Sequence, residues 1–349
     1  MSADRLTLTT YLGERDRTSG RLLADELLDL FGERGVQTSI LLRGAAGYGR
    51  GGRLHTDRLL SLSEDLPVVA IAVDEAQRIE AVLEEVLAIR QHGLVTLERA
   101  RLLHGALERF ELPAGLGEAA KLTVHLGRGE RAGRTPAHVA LCALLHARGI
   151  DGATVLLGVD GTREGHRARG SFFGANARVP VMVVALGASE RITAVLPELA
   201  GLVADPLVTL ERVRVCKRDG RLLVRPHELP ASDERGRALH QKLVVYSSAA
   251  ATHEGRPLHL EILRGLRWAG AAGATSVRGV WGFHGEDAPH GDRMLALRRH
   301  VPVVTTAIDT PERTARSFAV IDELTRAHGL VTSEMVPAID ALPLARHAY

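Results

Sequence analysis

The chain repeats one pattern three times, and this triplication constrains its fold more than any other feature of the sequence. Three landmarks occur in the same order in each copy, and the prolines of the second and third copies lie 113 and 235 residues after that of the first. The landmarks are a Gly-Arg pair (20–21, 133–134, 255–256), a proline before an apolar run (Pro67, Pro180, Pro302) and a Leu-Val-Thr sequence (94–96, 207–209, 330–332). The sequence therefore predicts three tandem copies of one structural unit.

Each copy predicts the order strand, helix, strand, long loop, strand, helix, strand. In the first copy, leucines alternate in the opening segment as in a half-buried strand, and apolar residues then recur at helical spacing. Gly35 is expected to end the first helix, and Asp74 is expected to cap the second, with Gln77 completing a capping box. The predicted elements are strands at 6–12, 36–43, 67–73 and 95–102 and helices at 23–31 and 79–86.

This order, βαββαβ, is typical of the ferredoxin-like α+β unit, in which two helices cover one face of a four-stranded antiparallel sheet. We predict three such domains, at 1–104, 119–217 and 239–342, joined by linkers rich in Gly, Pro and charge at 103–119 and 217–238. The helices leave the second face of each sheet bare. Apolar residues on that face need a partner.

Composition limits the classes of function. The 349 residues include 44 Lys and Arg against 42 Asp and Glu, so the net charge of +2 gives no reason to expect nucleic acid as a partner. No apolar run is long enough for a membrane helix, and the N-terminus lacks the apolar core of a signal peptide. The two cysteines, Cys142 and Cys216, cannot form a disulfide framework. We therefore expect a cytoplasmic protein that is not embedded in a membrane.

The loop between the second and third strands of the first copy is the best candidate site. It places 22 residues between Gly44 and Pro67, and structureless connections of that length inside compact domains are usually functional or mobile. Glycine N–H groups can form an anion nest, and arginines add charged donors. Arg43 is expected to bind phosphate and His55 to tune affinity near neutral pH. The candidate ligand-binding residues are Arg43, Gly44, Gly47, Tyr48, Gly49, Arg50, Arg53 and His55; the alternative is a flexible, solvated loop.

The third copy keeps part of this loop and the second keeps less. At the constant offset of 235, the candidates are Arg278, Gly279, Gly282 and His290. In the second copy Leu157 replaces the arginine, while glycines persist at 158 and 161. We therefore expect unequal anion sites, strongest in the first copy and weakest in the second.

A metal site and a catalytic site are weaker interpretations. His138, Cys142 and His146 share one helix face at four-residue spacing, as metal ligands can, but buried cysteine is more often a small core residue. No arrangement typical of a nucleophile and its base is present in the sequence. We therefore expect a protein that is not an enzyme, with no resident metal or cofactor.

The first copy resembles the domain-of-unknown-function 190 family (DUF190), a PII-like group, over nearly its whole length, and the other two copies look like divergent members. The residues that carry the resemblance are 11–14 (Tyr-Leu-Gly-Glu), 20–21, 43–49 (Arg-Gly-Ala-Ala-Gly-Tyr-Gly), 53–56 (Arg-Leu-His-Thr), 63–69 (Ser-Glu-Asp-Leu-Pro-Val-Val) and the Gly-Leu-Val-Thr ending. In the third copy, 246–249 (Tyr-Ser-Ser-Ala) has lost the glycine.

The resemblance implies ferredoxin-like units that assemble as trimers with their sheets inward, bind small effectors such as adenine nucleotides between subunits, and contact a partner through the long loop. Three units on one chain would then form an intramolecular pseudo-trimer, so that one monomer corresponds to a trimer of single-unit subunits. We expect a signalling protein that reports a bound nucleotide to a membrane transporter or an enzyme. The alternatives are a ligand-free scaffold and a metal-handling protein of the same fold.

Overall fold

A computed structural model describes residues 4–49, 51–57, 65–90, 93–102, 118–170, 176–203, 206–232, 239–291 and 301–340. Within them, the chain forms a mixed α+β structure of three repeats, each with two helices, four long strands and several short ones. No helix of these ranges is both long enough and apolar enough to cross a membrane.

The first repeat follows the order expected from its hydrophobic pattern. Its two helices bury one stripe each, including Leu27 and Phe31 on the first and Val82 on the second. Its elements are β1 (Asp4–Gly13), β2 (Arg17–Thr18), β3 (Arg21–Leu22), α1 (Leu23–Glu33), β4 (Thr38–Arg43), β5 (Ala46–Tyr48), β6 (His55–Thr56), β7 (Pro67–Glu75), α2 (Ala76–Ile89) and β8 (Leu94–Leu102).

The second and third repeats have the same sequence of elements, except that the second ends with an additional short strand, β17. The second has β9 (Ala119–Gly127), β10 (Arg131–Ala132), β11 (Thr135–Pro136), α3 (Ala137–Ala147), β12 (Gly152–Leu157), β13 (Asp160–Arg163), β14 (His166–Arg167), β15 (Pro180–Ala188), α4 (Ser189–Leu202), β16 (Leu207–Arg218) and β17 (Arg221–Leu222). The third has β18 (Leu239–Ser248), β19 (Thr252–His253), β20 (Arg256–Pro257), α5 (Leu258–Trp268), β21 (Ala274–Arg278), β22 (Trp281–His284), β23 (His290–Gly291), β24 (Pro302–Asp309), α6 (Pro311–Leu324) and β25 (Leu330–Asp340).

The four long strands of each repeat form one antiparallel sheet. In the first repeat β1 lies between β7 and β8, and β4 pairs with the outer edge of β7. The second repeat has the order β12-β15-β9-β16, and the third has β21-β24-β18-β25. The first and last strands of each repeat are therefore neighbours.

Strand pairs between repeats close a cycle. The end of β8 pairs with the start of β16, the end of β16 with β25, and the end of β25 with the start of β8. The short strands of the long loops form a second cycle, in which β5 pairs with β21, β22 with β12, and β13 with β4. Each repeat is thus hydrogen-bonded to both of the others.

The apolar core has two levels. Each repeat packs its two helices on its own sheet to form a separate buried cluster. A fourth cluster draws on the opposite sheet faces of all three repeats, with Leu42 from the first, Val184 from the second and Val244 from the third. The bare faces predicted from the sequence therefore cover one another.

Two local expectations were wrong. Asp74 does not cap α2 as predicted: Glu75 is the N-cap residue and makes no side-chain cap bond. The carboxylate of Asp74 instead accepts hydrogen bonds from the backbone N–H groups of Gln37 and Glu75. Part of the predicted long loop is regular instead, because Ala46–Tyr48 is a buried strand paired with the neighbouring repeat.

Candidate functional site: the cavity between repeats 1 and 3

A cavity of about 890 Å³ lies where the first repeat meets the third. The first repeat contributes the long-loop residues around Tyr48, the end of β1 and the start of β7. The third repeat contributes the segment before β21, the end of β24 and the start of α6. A volume of this size is typical of sites for small organic ligands. We call this space the 1–3 cavity.

The pairing of β5 with β21 builds one wall of the 1–3 cavity. Gly47 lies opposite Thr275 in this ladder, and on its other side it pairs with His55 of β6. A Cβ atom at Gly47 would lie 2.7 Å from the carbonyl oxygen of Ala274, so only glycine allows the two repeats to approach this closely. The close approach between repeats is a structural reason for this glycine, beside the anion-binding one that we predicted.

Tyr48 is the residue of this strand with an unused polar group. Its side chain lines the cavity and is 6% exposed, and its hydroxyl has no hydrogen-bond partner among the described residues. Burial, together with the negative charge of Asp309, raises the pKa of the phenol, so Tyr48 stays protonated and can donate. A buried hydroxyl without a partner is costly, and a ligand in the cavity would satisfy it.

Two arginines of the third repeat supply positive charge to the wall. Arg267, at the end of α5, makes no side-chain hydrogen bond or ion pair to another described residue. Arg313, in the first turn of α6, lies 3.8 Å from Asp309. Both cations are therefore available to an anionic ligand.

Arg313 differs from its counterparts in the other repeats. Arg78 and Arg191 occupy the same position, and each donates a hydrogen bond to the carbonyl oxygen of a glycine at a helix end, Gly35 and Gly149. No such bond from Arg313 to Gly270 occurs in the described part of the third repeat. Arg313 instead borders the 1–3 cavity.

The carboxylates of the 1–3 cavity are already bonded to the backbone. Asp309 accepts hydrogen bonds of 2.8 Å from the N–H groups of Ala272 and Thr310. Asp16 and Asp65 accept backbone N–H groups at Gly13 and Arg15. Backbone donors thus stabilise the negative charges, whereas the charges of Arg267 and Arg313 are left without comparable partners. This asymmetry favours an anion.

Arg43 and Gly44 lie beside the cavity but not in its wall. The guanidinium of Arg43 donates two hydrogen bonds, of 2.8 and 3.0 Å, to the carboxylate of Glu14. The N–H of Gly44 donates to the carbonyl oxygen of Pro67, and its expected role as an anion donor stays a prediction. The phosphate-binding role of Arg43 stays a prediction.

The remaining candidates of the first loop are placed as follows. Gly49 and His55 line the 1–3 cavity, together with the unpredicted Gly51 and Gly52. Arg53 is exposed and is not part of the cavity wall. Arg50 lies outside the described residues. The structure thus brings four predicted residues, Gly47, Tyr48, Gly49 and His55, to one cavity.

The third-repeat candidates do not line the 1–3 cavity. Arg278 forms an ion pair of 2.9 Å with Asp57 of the first repeat. The N–H of Gly279 donates to the carbonyl oxygen of Pro302, and the anion-binding role of Gly279 stays a prediction. Gly282 pairs with Thr154 of the second repeat at a φ of +151°, which favours glycine. His290 belongs to β23 and contacts the carbonyl oxygen of Ala288.

The junction between the second and first repeats is nearly filled. The equivalent cavity there measures about 40 Å³, because Arg163 stands where the first repeat has Gly49. Nearby, Arg167 forms ion pairs with three carboxylates, those of Asp25, Asp29 and Asp160. Side chains of the second long loop thus form the ion pairs with nearby carboxylates that a bound ligand would otherwise have to replace.

The predicted metal-binding face in the second repeat does not form a shared site. Cys142 is fully buried in the core of that repeat, and burial raises the pKa of its thiol to about 12, which disfavours the thiolate that metals bind. His146 instead contacts Phe283 of the third repeat edge-on. Nothing in the placement of these two residues favours a metal.

A family model matches the chain three times, over residues 5–102, 119–215 and 240–338. The family is DUF190, described as an uncharacterized ACR. The chain belongs to the DUF190 family. The three matches coincide with the three structural repeats, which confirms the resemblance seen in the sequence.

Three relatives that the DUF190 repeats match are about one repeat long. A UPF0166 protein of Aquifex aeolicus is 31% identical over 97 residues, which are 28% of this chain and 91% of that protein. A second match to a UPF0166 protein of Aquifex aeolicus is 31% identical over 80 residues, 23% of this chain and 82% of that protein. A UPF0166 protein of Methanocaldococcus jannaschii is 28% identical over 99 residues, 28% of this chain and 91% of that protein.

Proposed function

We propose that this chain is a non-catalytic, PII-like sensor that binds one adenine nucleotide in the 1–3 cavity. In this proposal the repeats are ferredoxin-like units, and the chain is an intramolecular pseudo-trimer that acts as a monomer. The cyclic strand pairing and the shared central core support the pseudo-trimer. The repeat-sized relatives fit the same interpretation, because one repeat is the unit that a trimer would use three times.

The ligand proposal rests on a large cavity whose wall contains polar and charged groups with few partners of their own. Tyr48 offers a buried donor, and Arg267 and Arg313 offer positive charge without strong partners. The two arginines suit phosphate oxygens, because guanidinium groups bind them through charge-assisted hydrogen bonds. His55 and the glycines of the first loop complete the wall and leave space at 49–52, where an added Cβ would meet nothing at Gly49, Gly51 or Gly52.

A nucleotide in this cavity would contact the first loop directly. The residues after Tyr48 line the cavity, so ligand contacts there would change the conformation that the loop presents to a partner. We propose that the partner is a membrane transporter or an enzyme in the cytoplasm. This proposal predicts different loop conformations with and without nucleotide.

Calorimetric titration of the full chain with ATP, ADP, AMP and cyclic AMP tests the proposal. We expect one nucleotide to bind at a single site per chain. Arg313→Ala should weaken that binding about 10-fold to 100-fold, the usual effect of losing a hydrogen bond to a charged group. Arg78→Ala, the matched arginine of the first repeat, should leave the affinity unchanged because Arg78 lies outside the cavity.

Two outcomes would contradict the proposal. If none of the four nucleotides binds a folded, monomeric chain, the ligand-free scaffold is the better interpretation. If one binds but Arg313→Ala and Arg78→Ala have equal effects, the site lies elsewhere. Thermal melts of both variants establish that each is folded before the titration is interpreted.

A further inference from the structure

Five buried charged side chains meet at the centre of the molecule, and we call them the axial cluster. Each repeat places a glutamate two residues after its Leu-Val-Thr sequence, and these three carboxylates lie within 4.8 Å of one another. Two lysines lie among them. The members are Glu98, Glu211, Glu334, Lys121 and Lys242, and each is between 5% and 8% exposed.

The axial cluster has one cation fewer than it has carboxylates. Lys121 lies opposite Glu211 in the β9–β16 ladder, and Lys242 lies opposite Glu334 in the β18–β25 ladder. Opposite Glu98, in the β1–β8 ladder, stands Thr7. Three carboxylates and two ammonium groups leave a net charge of −1 in the interior, where an unbalanced charge is costly.

The distances show which carboxylate is least stabilised. Glu334 is 2.9 Å from Lys121 and 2.8 Å from Lys242, and Glu98 also contacts both lysines, at 3.5 and 2.5 Å. Glu211 contacts one lysine, Lys121, at 2.6 Å. Glu211 therefore has half the cationic contacts of the other two.

We infer that the axial cluster is a proton-binding site and that Glu211 holds the proton near neutral pH. A metal ion is a poorer occupant, because the Nζ atom of Lys121 already lies within 3.5 Å of all three carboxylates. A proton needs no additional space and removes the excess charge. Two buried oxygens without partners among the described residues, those of Thr7 (Oγ1) and Glu334 (Oε1), also show that the polar groups here are incompletely matched.

The groups around Glu211 support this assignment. Burial raises the pKa of Glu211 to about 7, and the attraction of Lys121 only partly offsets burial and the repulsion of the other glutamates. For Glu98, burial is outweighed by Lys242 and Lys121, which lower its pKa to about 2. The titratable and charged groups that face Glu211 from neighbouring strands are Glu98 on β8, Lys121 and His125 on β9, Glu334 on β25, Lys242 and Tyr246 on β18, and Tyr11 on β1.

The expected effect on stability follows from this pKa. A carboxyl group whose pKa is higher in the folded than in the unfolded chain lowers the free energy of unfolding as pH rises between the two values. For Glu211 that window runs from about 4.5 to about 7. His125 titrates with the opposite sign in an overlapping window, so the wild-type slope alone does not isolate Glu211.

The experiment is infrared difference spectroscopy of the full chain between pH 5 and pH 9, with urea unfolding across the same range. We expect wild type to show the carbonyl band of a protonated carboxyl group that disappears with a midpoint near pH 7. Glu211→Gln should abolish this band, and its stability relative to wild type should increase from pH 5 to pH 8. Glu190→Gln, at an exposed position, is the control and should change neither result.

Thr7→Lys provides a second, independent variant, because it adds the cation that the first repeat lacks. We expect it to shift the midpoint of the band down by at least one pH unit. A wild-type protein without the band at pH 6 would overturn the inference. So would a band that persists in Glu211→Gln, since the proton would then belong to another group.

Discussion

The ring of Phe283 contacts the ring of His146 edge-on, with the two centroids 5.1 Å apart. Phe283 occupies in the third repeat the position that Tyr48 occupies in the first, and each belongs to the loop strand that pairs with a neighbouring repeat. His146 correspondingly occupies the position of Arg267. The same architecture thus places two rings in edge-on contact at one junction and leaves a donor and a cation facing a cavity at another.

The smallest substitution that tests the hydroxyl of Tyr48 is Tyr48→Phe. Tyr48→Phe removes only the hydroxyl and installs the residue that the third repeat already uses. We expect nucleotide affinity to fall about 3-fold to 10-fold, because one neutral hydrogen bond is lost, while stability stays equal or rises as an unpaired buried hydroxyl is removed. Titration and urea unfolding measure both. Unchanged affinity with normal stability would show that the hydroxyl does not contact the ligand.

The glycines of the first loop should differ sharply in their tolerance of alanine. At Gly47 a Cβ atom would lie 2.7 Å from the carbonyl oxygen of Ala274 and 2.9 Å from Pro67, whereas at Gly49 it would meet nothing within 4 Å. We expect Gly47→Ala to lower the free energy of unfolding by about 1–3 kcal/mol through overpacking, and Gly49→Ala by less than about 0.5 kcal/mol. Equal effects in urea unfolding would contradict this account of β5.

The ion pairs of Arg167 should matter more than an exposed pair of similar geometry. Arg167 contacts Asp25, Asp29 and the buried Asp160, whose side chain is 2% exposed. Arg167→Ala leaves these carboxylates with fewer partners, and we expect a loss of about 1–3 kcal/mol. Arg148→Ala, which breaks an exposed pair with Glu198, should cost much less, because water and salt screen exposed charges. Thermal unfolding of both variants checks the difference.

His125 should make the protein sensitive to acid. Burial lowers the pKa of its imidazole to about 4, and the positive charge of Arg163 adds to this effect. Because the unfolded chain binds the proton more readily, the contribution of His125 to stability is lost as pH falls from about 6.5 to about 4, and it reaches about 3 kcal/mol. His125→Gln should reduce this loss. If the variant and wild type lose stability in parallel between pH 6.5 and pH 4.5, His125 is not the cause.

The sequence allowed most of the fold to be predicted, because its signals are local and occur three times. The predicted helix at 23–31 is the helix Leu23–Glu33, and the predicted strand at 67–73 is the strand Pro67–Glu75. Asp74 was assigned wrongly because its carboxylate reaches Gln37, which is distant in sequence. Local patterns do not contain contacts of that kind.

The candidate site was predicted only in part for the same reason. Tyr48 and His55 belong to a glycine-rich segment that is visible in the sequence, and they do line the cavity. Arg267 and Arg313 come from another repeat, and only the pairing of β5 with β21 shows that they face the same space. The glutamates of the axial cluster do have a signal in the sequence, which is their fixed place two residues after each Leu-Val-Thr sequence.

The cycle of strand pairs has three junctions, but the polypeptide runs directly between successive repeats at only two of them. The junction between the third and first repeats is held by β25 on β8 and by β5 on β21, without a linker. That junction contains the 1–3 cavity. A ligand that contacts both walls would therefore be a reversible cross-link at the one junction that has no covalent connection. Its binding energy would raise the free energy needed to open this junction. Because the three repeats are paired in a cycle, a bound ligand would therefore suppress local opening in all of them.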